Sequence, residues 1–143
     1  PETDEIWKEL TLNYVRAASK KFDEELKALE ADMVLGQGNE PFRTVKNEQI
    51  ALVYNQYAWL ISNTTGDFDR ALEMSKRSLE IKPNYATYLD TLGRCYYAKK
   101  DYTNAVKYQR MAVKLKPFSP SMKRQLALFE EALKNSAPPA NSK

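Results

Sequence analysis

The chain repeats itself, and that constrains its fold more than any other feature. Two stretches align without a gap at a spacing of 34 residues, one ending at Pro83 and the other at Pro117. Gly66-Asp67-Phe68-Asp69-Arg70-Ala71-Leu72 matches Lys100-Asp101-Tyr102-Thr103-Asn104-Ala105-Val106. Ser78-Leu79-Glu80-Ile81-Lys82-Pro83 matches Ala112-Val113-Lys114-Leu115-Lys116-Pro117. Upstream, Tyr54 pairs with Tyr88 and Ala58 with Leu92. A fixed period of this length marks a stacked array, in which each unit is one supersecondary element that cannot bury its apolar face alone.

The chemistry of each unit is that of a helix hairpin. Leu89, Leu92, Gly93 and Tyr96 step by three or four, which gives a first helix, A, one buried stripe. A turn follows near Lys99-Lys100. Asp101 then stands where its carboxylate can accept from the free N–H groups of a second helix, B, and face that helix's positive end. Asp67 holds the same place in the other unit. Helix B carries Tyr102, Ala105, Val106, Met111, Ala112, Val113 and Leu115, and Ala105 is small enough for close helix approach. Pro83 and Pro117 disfavour helical geometry in the residue before them and so end helix B.

At these residues the chain resembles the tetratricopeptide repeat (TPR) family. The family pattern W-x2-L-G-x2-Y, then A-x3-F, then A and P, maps onto Leu89, Leu92, Gly93, Tyr96, Tyr102, Ala105, Ala112 and Pro117. In the first unit it maps onto Asn55, Ala58, Trp59, Ser62, Phe68, Ala71, Ser78 and Pro83, with Trp59 where the family has Gly and Ser62 where it has Tyr. The resemblance covers residues 52–117. It implies an all-α fold, an α-solenoid of antiparallel helix hairpins in a right-handed superhelical stack with a C-terminal capping helix.

The flanks complete a single helical domain over residues 1–135. Residues 46–83 and 84–117 are its two clear repeats. Residues 118–135 are expected as the capping helix, with Met122, Gln125, Leu126, Phe129 and Leu133 on one side. Residues 136–143, rich in Pro and Ala, read as a disordered tail or a linker. Over residues 4–35, Trp7, Leu10, Thr11 and Tyr14 imitate helix A, and Phe22-Asp23-Glu24-Glu25-Leu26 imitates Phe68 to Leu72. That region is expected to be a degenerate hairpin, followed by a loop over 36–45. One long helix is the rival, because Trp7, Leu10, Tyr14, Ala18, Phe22, Leu26, Leu29 and Met33 also make an unbroken stripe.

Composition narrows the function. The chain has no histidine and one cysteine, which removes the commonest general base and metal ligand near neutral pH and every Cys-rich metal site. Cys95 reads as a buried, inert thiol. Asp67 and Asp69 read as capping residues, Gly36-Gln37-Gly38 as a turn, and Asn63-Thr64-Thr65 as a sequon relevant only in a eukaryotic secretory setting. Glu24/Glu25 and Glu130/Glu131 are helix neighbours pointing different ways. No catalytic residue, cofactor or metal is expected, and the chain is read as a non-enzyme. No apolar run approaches membrane-spanning length, and the compartment, cytosolic or exported, stays open.

What remains is a surface. Residues beside the buried A stripe are expected to line a concave groove: Val53, Gln56, Leu60 and Asn63, then Thr87, Asp90, Arg94 and Tyr97, then Arg124 and Leu128. Their mixture of apolar, amide and charged groups suits a peptide or protein partner rather than a small-molecule substrate or a polyanion. Some family members hold a C-terminal carboxylate with a Lys/Asn/Arg clamp, but the matching places here carry Gln56, Leu60, Thr91 and Ser121. Charge supplies a second reading. Residues 1–40 hold ten acids and five bases, whereas Lys107, Arg110, Lys114, Lys116, Lys123 and Arg124 gather in the basic remainder. Nucleic-acid binding there is the alternative, and self-association through an exposed hairpin end is the third.

Overall fold

A computed structural model describes residues 2–136. They form six helices, α1 (Glu2–Leu35), α2 (Glu40–Asn63), α3 (Phe68–Ile81), α4 (Ala86–Ala98), α5 (Tyr102–Leu115) and α6 (Pro120–Ser136), and no strand. The all-α helical repeat is therefore present. Of the tail expected over 136–143, Ser136 instead belongs to α6, and 137–143 lie outside the described residues.

Both hairpins are punctuated as their residues dictate. Asp67 Oδ1 accepts from the Arg70 N–H at 2.9 Å, and Asp101 Oδ1 from the Asn104 N–H at 3.1 Å. The helices they cap stop at Ile81 and Leu115, each two residues short of its proline. Gly66 and Lys100 occupy equivalent turn positions with φ of 135° and 62°. Only glycine takes the first without strain.

The N-terminal region departs from the expected hairpin. Residues 2–35 are one uninterrupted helix, and the next helix begins at Glu40 rather than after a loop to 45, with Asn39 Oδ1 capping the Phe42 N–H at 3.1 Å. Where the other units turn, α1 has Ser19-Lys20-Lys21, with neither a capping Asp nor a residue at positive φ. Nothing stops the helix, so it runs on. Its second half still behaves as a helix B. Phe22 and Leu26 pack on α2 and Met74 as members of the core, and Asp23 pairs with Arg70 of α3. The chain order is thus B-A-B-A-B-A, and every B-to-A linker is four residues long: 36–39, 82–85 and 116–119.

The turns inside the hairpins are unequal, and this changes the alignment of the repeats. Residues 64–67 join α2 to α3, but only 99–101 join α4 to α5. One extra residue shifts α2 by one place against α4. Ala58, not Trp59, takes the small-residue position, fully buried in one cluster with Ala71, Tyr57, Ile61, Val15 and Cys95. Trp59 turns outward and is 55% exposed. At the matching place Gly93 lies so close to α5 that a Cβ there would sit 3.2 Å from the Ala105 carbonyl oxygen.

Each helix packs on its neighbours in the stack. α4 lies against α2, α3 and α5, and α2 lies against α1, α3 and α4. Cys95 is buried at the centre, its thiol reaching the carbonyl oxygens of Ala58 and Ala71 at 3.8 and 3.7 Å.

Candidate functional site

Successive helices reverse direction, so α2, α4 and α6 run parallel as the three A helices and present one face. The one-residue shift in α2 decides which side chains stand on it. Val53, expected in the groove, is only 2% exposed and packs beneath α1 with Leu26 and Leu29. Leu60 is half-buried, while Gln56 and Asn63 are exposed as expected. Leu52 and Trp59 join them, completing the exposed stripe Leu52, Gln56, Trp59, Asn63 at helical spacing. The longer Thr64-Thr65-Gly66-Asp67 turn is the sequence signal that would have found these two residues.

On α4 two expected groove residues turn inward. Asp90 accepts from Gln109 Nε2 at 2.6 Å and Gln125 Nε2 at 3.2 Å, so its carboxylate ties α4 to α5 and α6. Burial pushes its pKa up, against the opposing pull of the Gln109 hydrogen bond and the Arg94 charge. Tyr97 stacks on the fully buried Phe129 of α6 at 4.6 Å and lies 5.4 Å from Tyr102. Thr87 is half-buried, and its carbonyl accepts from the Thr91 hydroxyl at 3.1 Å.

Arg94 holds the centre of the face. Its guanidinium carbon lies 5.8 Å from both the Tyr97 and the Phe129 ring centroids, an aromatic seat that fixes the cation without neutralising it. Its buried Nε has no hydrogen-bond partner among the described residues, which leaves a donor needing an acceptor. Leu128 and Arg124 are exposed on α6. Equivalent positions across the three A helices therefore read Trp59, Arg94, Leu128: apolar, cation, apolar.

The basic cluster divides. Arg110 donates through Nε and Nη2 to Glu130 Oε1 at 3.1 and 2.7 Å. Lys107 lies over Tyr108, and Lys116 over Tyr85. Lys123 and Arg124 are on a different helix from these. Among the described residues no cluster of three or more His, Cys, Asp or Glu could hold a metal ion, and no helix is long and apolar enough to cross a membrane. The Cys95 thiol is pushed up to about 11 by burial.

Antiparallel hairpins of fixed period, capped alike and stacked A on A, define a helical-repeat protein. Comparison with known proteins makes the class specific. Residues 86–119 match the family model of the tetratricopeptide repeat. The crystal structure of the Sgt2 TPR domain from Aspergillus fumigatus is similar in fold at 21% identity, with a TM-score of 0.55 over 100% of this chain and 89% of that one. No curated protein matches the sequence. The unit over residues 86–119, which ends two residues beyond Pro117, is thus similar to a tetratricopeptide repeat, and the fold of the whole chain is similar to that of a domain built from such repeats.

Proposed function

We propose that this chain is a non-catalytic interaction module that binds a peptide segment of a partner protein on its A-helix face. One observation carries the reading: Arg94, its guanidinium seated on the Tyr97 and Phe129 rings, lies between the exposed apolar groups Trp59 and Leu128. Such a row fits a carboxylate side chain flanked by apolar ones. The charge-assisted hydrogen bond gives orientation, and Trp59 gives contact area at low entropic cost. Gln56, Asn63 and Arg124 stand around the row as polar contacts. Val53, Asp90 and Tyr97 support the face from beneath.

Peptide display against the domain, followed by anisotropy titration of the selected peptides, tests this. Peptides with an acidic residue between apolar ones are expected. Arg94→Glu is expected to weaken them by at least about tenfold, the loss typical of a central charged contact, while Lys107→Glu on α5 leaves them unchanged. Selected peptides that bind the Arg94→Glu variant as tightly as the parent would remove the groove assignment.

A further inference from the structure

On its preceding side, α4 is covered by two helices, α2 and α3. By the same repeat step, α2 has α1 in the place α3 holds, and no described helix in the other place. That flank is an open cleft of ≈ 470 Å³ with Tyr14, Ala18 and Phe22 of α1 on one wall and Gln56, Trp59 and Leu60 of α2 on the other. The apolar wall continues along α1 to Leu10 and Trp7, which are 52% and 67% exposed. Trp7, Leu10, Tyr14 and Ala17 recur every three and four residues, which is one seam along a helix.

We propose that this cleft takes the N-terminal half of α1 from a second copy of the chain, the two α1 helices pairing antiparallel across a two-fold axis. Three observations single out that occupant. The first is pattern: residues 7–14 carry the W-x2-L-x3-Y spacing of an A helix, and an A helix is what the repeat step puts in this place. Residues 7–14 of the same copy cannot fold back to fill it, since no turn precedes Phe22 and the segment runs straight on. The second is polarity. α1 is antiparallel to α2, so an antiparallel second α1 runs parallel to α2, as α2 runs to α4.

The third is charge. Asp4, Glu5 and Glu9, with only Lys8 among them, occupy the start of α1; Arg16, Lys20 and Lys21 follow, with no acid between Leu10 and Phe22. Antiparallel pairing sets the acidic end of each helix over the basic stretch of the other, whereas parallel pairing would set like on like. Lys20 is not committed elsewhere: its contact with Glu24 is 3.9 Å long and solvent-exposed. The interface is isologous, each copy giving the same seam. The inference does not depend on Arg94, which lies on α4, but the cleft shares Gln56 and Trp59 with the proposed peptide-binding face, so a second α1 and a peptide would meet at those two residues.

Light scattering coupled to size exclusion over a concentration series tests it. The expected mass is twice the 16.5 kDa of one chain. Trp7→Glu with Leu10→Glu is expected to halve it, and because both residues are exposed the far-ultraviolet helix signal stays that of the parent. Reversing Arg16, Lys20 and Lys21 to Glu, or Asp4, Glu5 and Glu9 to Lys, is expected to halve it as well. An equimolar mixture of the two reversed variants is expected to return the doubled mass. A single-chain mass at every concentration overturns the proposal. So does a doubled mass that the α1 variants leave intact, which would place the contact on another surface, or a mixture that stays at the mass of one chain.

Discussion

Replacing Gly93 by alanine sets two effects of known size against each other. In a free helix the change stabilises by about 1 kcal/mol, because glycine has more backbone entropy to lose. Here the new Cβ would lie 3.0 Å from Gln109 Oε1 and 3.2 Å from the Ala105 carbonyl oxygen. Gln109 is fully buried and held by three hydrogen bonds, to Asp90 Oδ1 at 2.6 Å, the Met122 carbonyl at 3.1 Å and Gln125 at 3.1 Å. A neutral bond contributes about 1 kcal/mol and one to a carboxylate about 1.5–3 kcal/mol, so the three together contribute about 3.5–5 kcal/mol, and a shift of the amide that weakens them by about half costs about 2–3 kcal/mol. The net is a loss of about 1–2 kcal/mol. At about 2.1 cal/mol/K for each of 143 residues, that lowers Tm by about 3–7 °C. The first repeat already shows the compensated arrangement, with Ala58 at the small position and Ser75 where Gln109 would be. Thermal melts followed by circular dichroism should therefore give a double-mutant cycle with coupling: Gly93→Ala is destabilising in the parent and neutral or stabilising beside Gln109→Ser. A higher Tm for Gly93→Ala alone, or an equal penalty in both backgrounds, would refute the steric argument.

Four further outcomes follow from the same geometry. Burial raises the Asp90 pKa, so the folded state favours its protonated form. Relative to Asp90→Asn, the parent should lose stability as pH rises from the ordinary Asp range towards 7, and melts at pH 3 and pH 7 would show the gap opening; a parent that gains on the variant as pH rises contradicts this. Phe129→Ala removes a fully buried ring stacked at 4.6 Å on Tyr97; a loss of about 3–5 kcal/mol is expected by denaturant titration, and less than about 1 kcal/mol would deny α6 its packing role. Lys100→Gly relieves a left-handed φ of 62° and should raise stability by roughly 0.5–1 kcal/mol in the same titration, whereas any decrease would exclude strain there. With its thiol pushed up to about 11 and fully buried, Cys95 should resist an aromatic disulfide reagent at pH 8 until denaturant is added; prompt reaction of the folded chain would contradict its burial.

The fold was legible wherever local chemistry decides it. Asp67 and Asp101 cap, Pro83 and Pro117 stop, and the apolar stripes of α3, α4 and α5 follow from their periodicity. The misreadings have separate physical origins. A helix boundary depends on the presence of a stop signal, and an imitation of a repeat is not a turn: Trp7 and Leu10 reproduce helix A, but Ser19-Lys20-Lys21 offers no cap, so α1 stays straight. Likewise, a gapless alignment gave Trp59 the glycine place, because the repeat length is preserved from α3 onward while the extra turn residue is taken up within the first hairpin. A shift of one residue rotates a helix by about 100°, enough to send Val53 into the core and bring Trp59 out. Asp90 and Tyr97 were beyond sequence reasoning for another reason. Both sit at groove spacing, but Gln109, Gln125 and Phe129, on other helices, turn them inward.

The neighbour-to-neighbour packing also governs how the chain assembles. Every strongly packed helix pair joins elements adjacent or one apart in chain order, so the entropy of closing long loops hardly enters. Folding on the microsecond-to-millisecond scale of low-contact-order helical proteins is expected. It should begin within α2 to α5, where both hairpins are capped and doubly packed, and spread outward. The open end then unzips first, so amide exchange should be fast at the close of α6 and slowest around Ala58, Ala71 and Cys95.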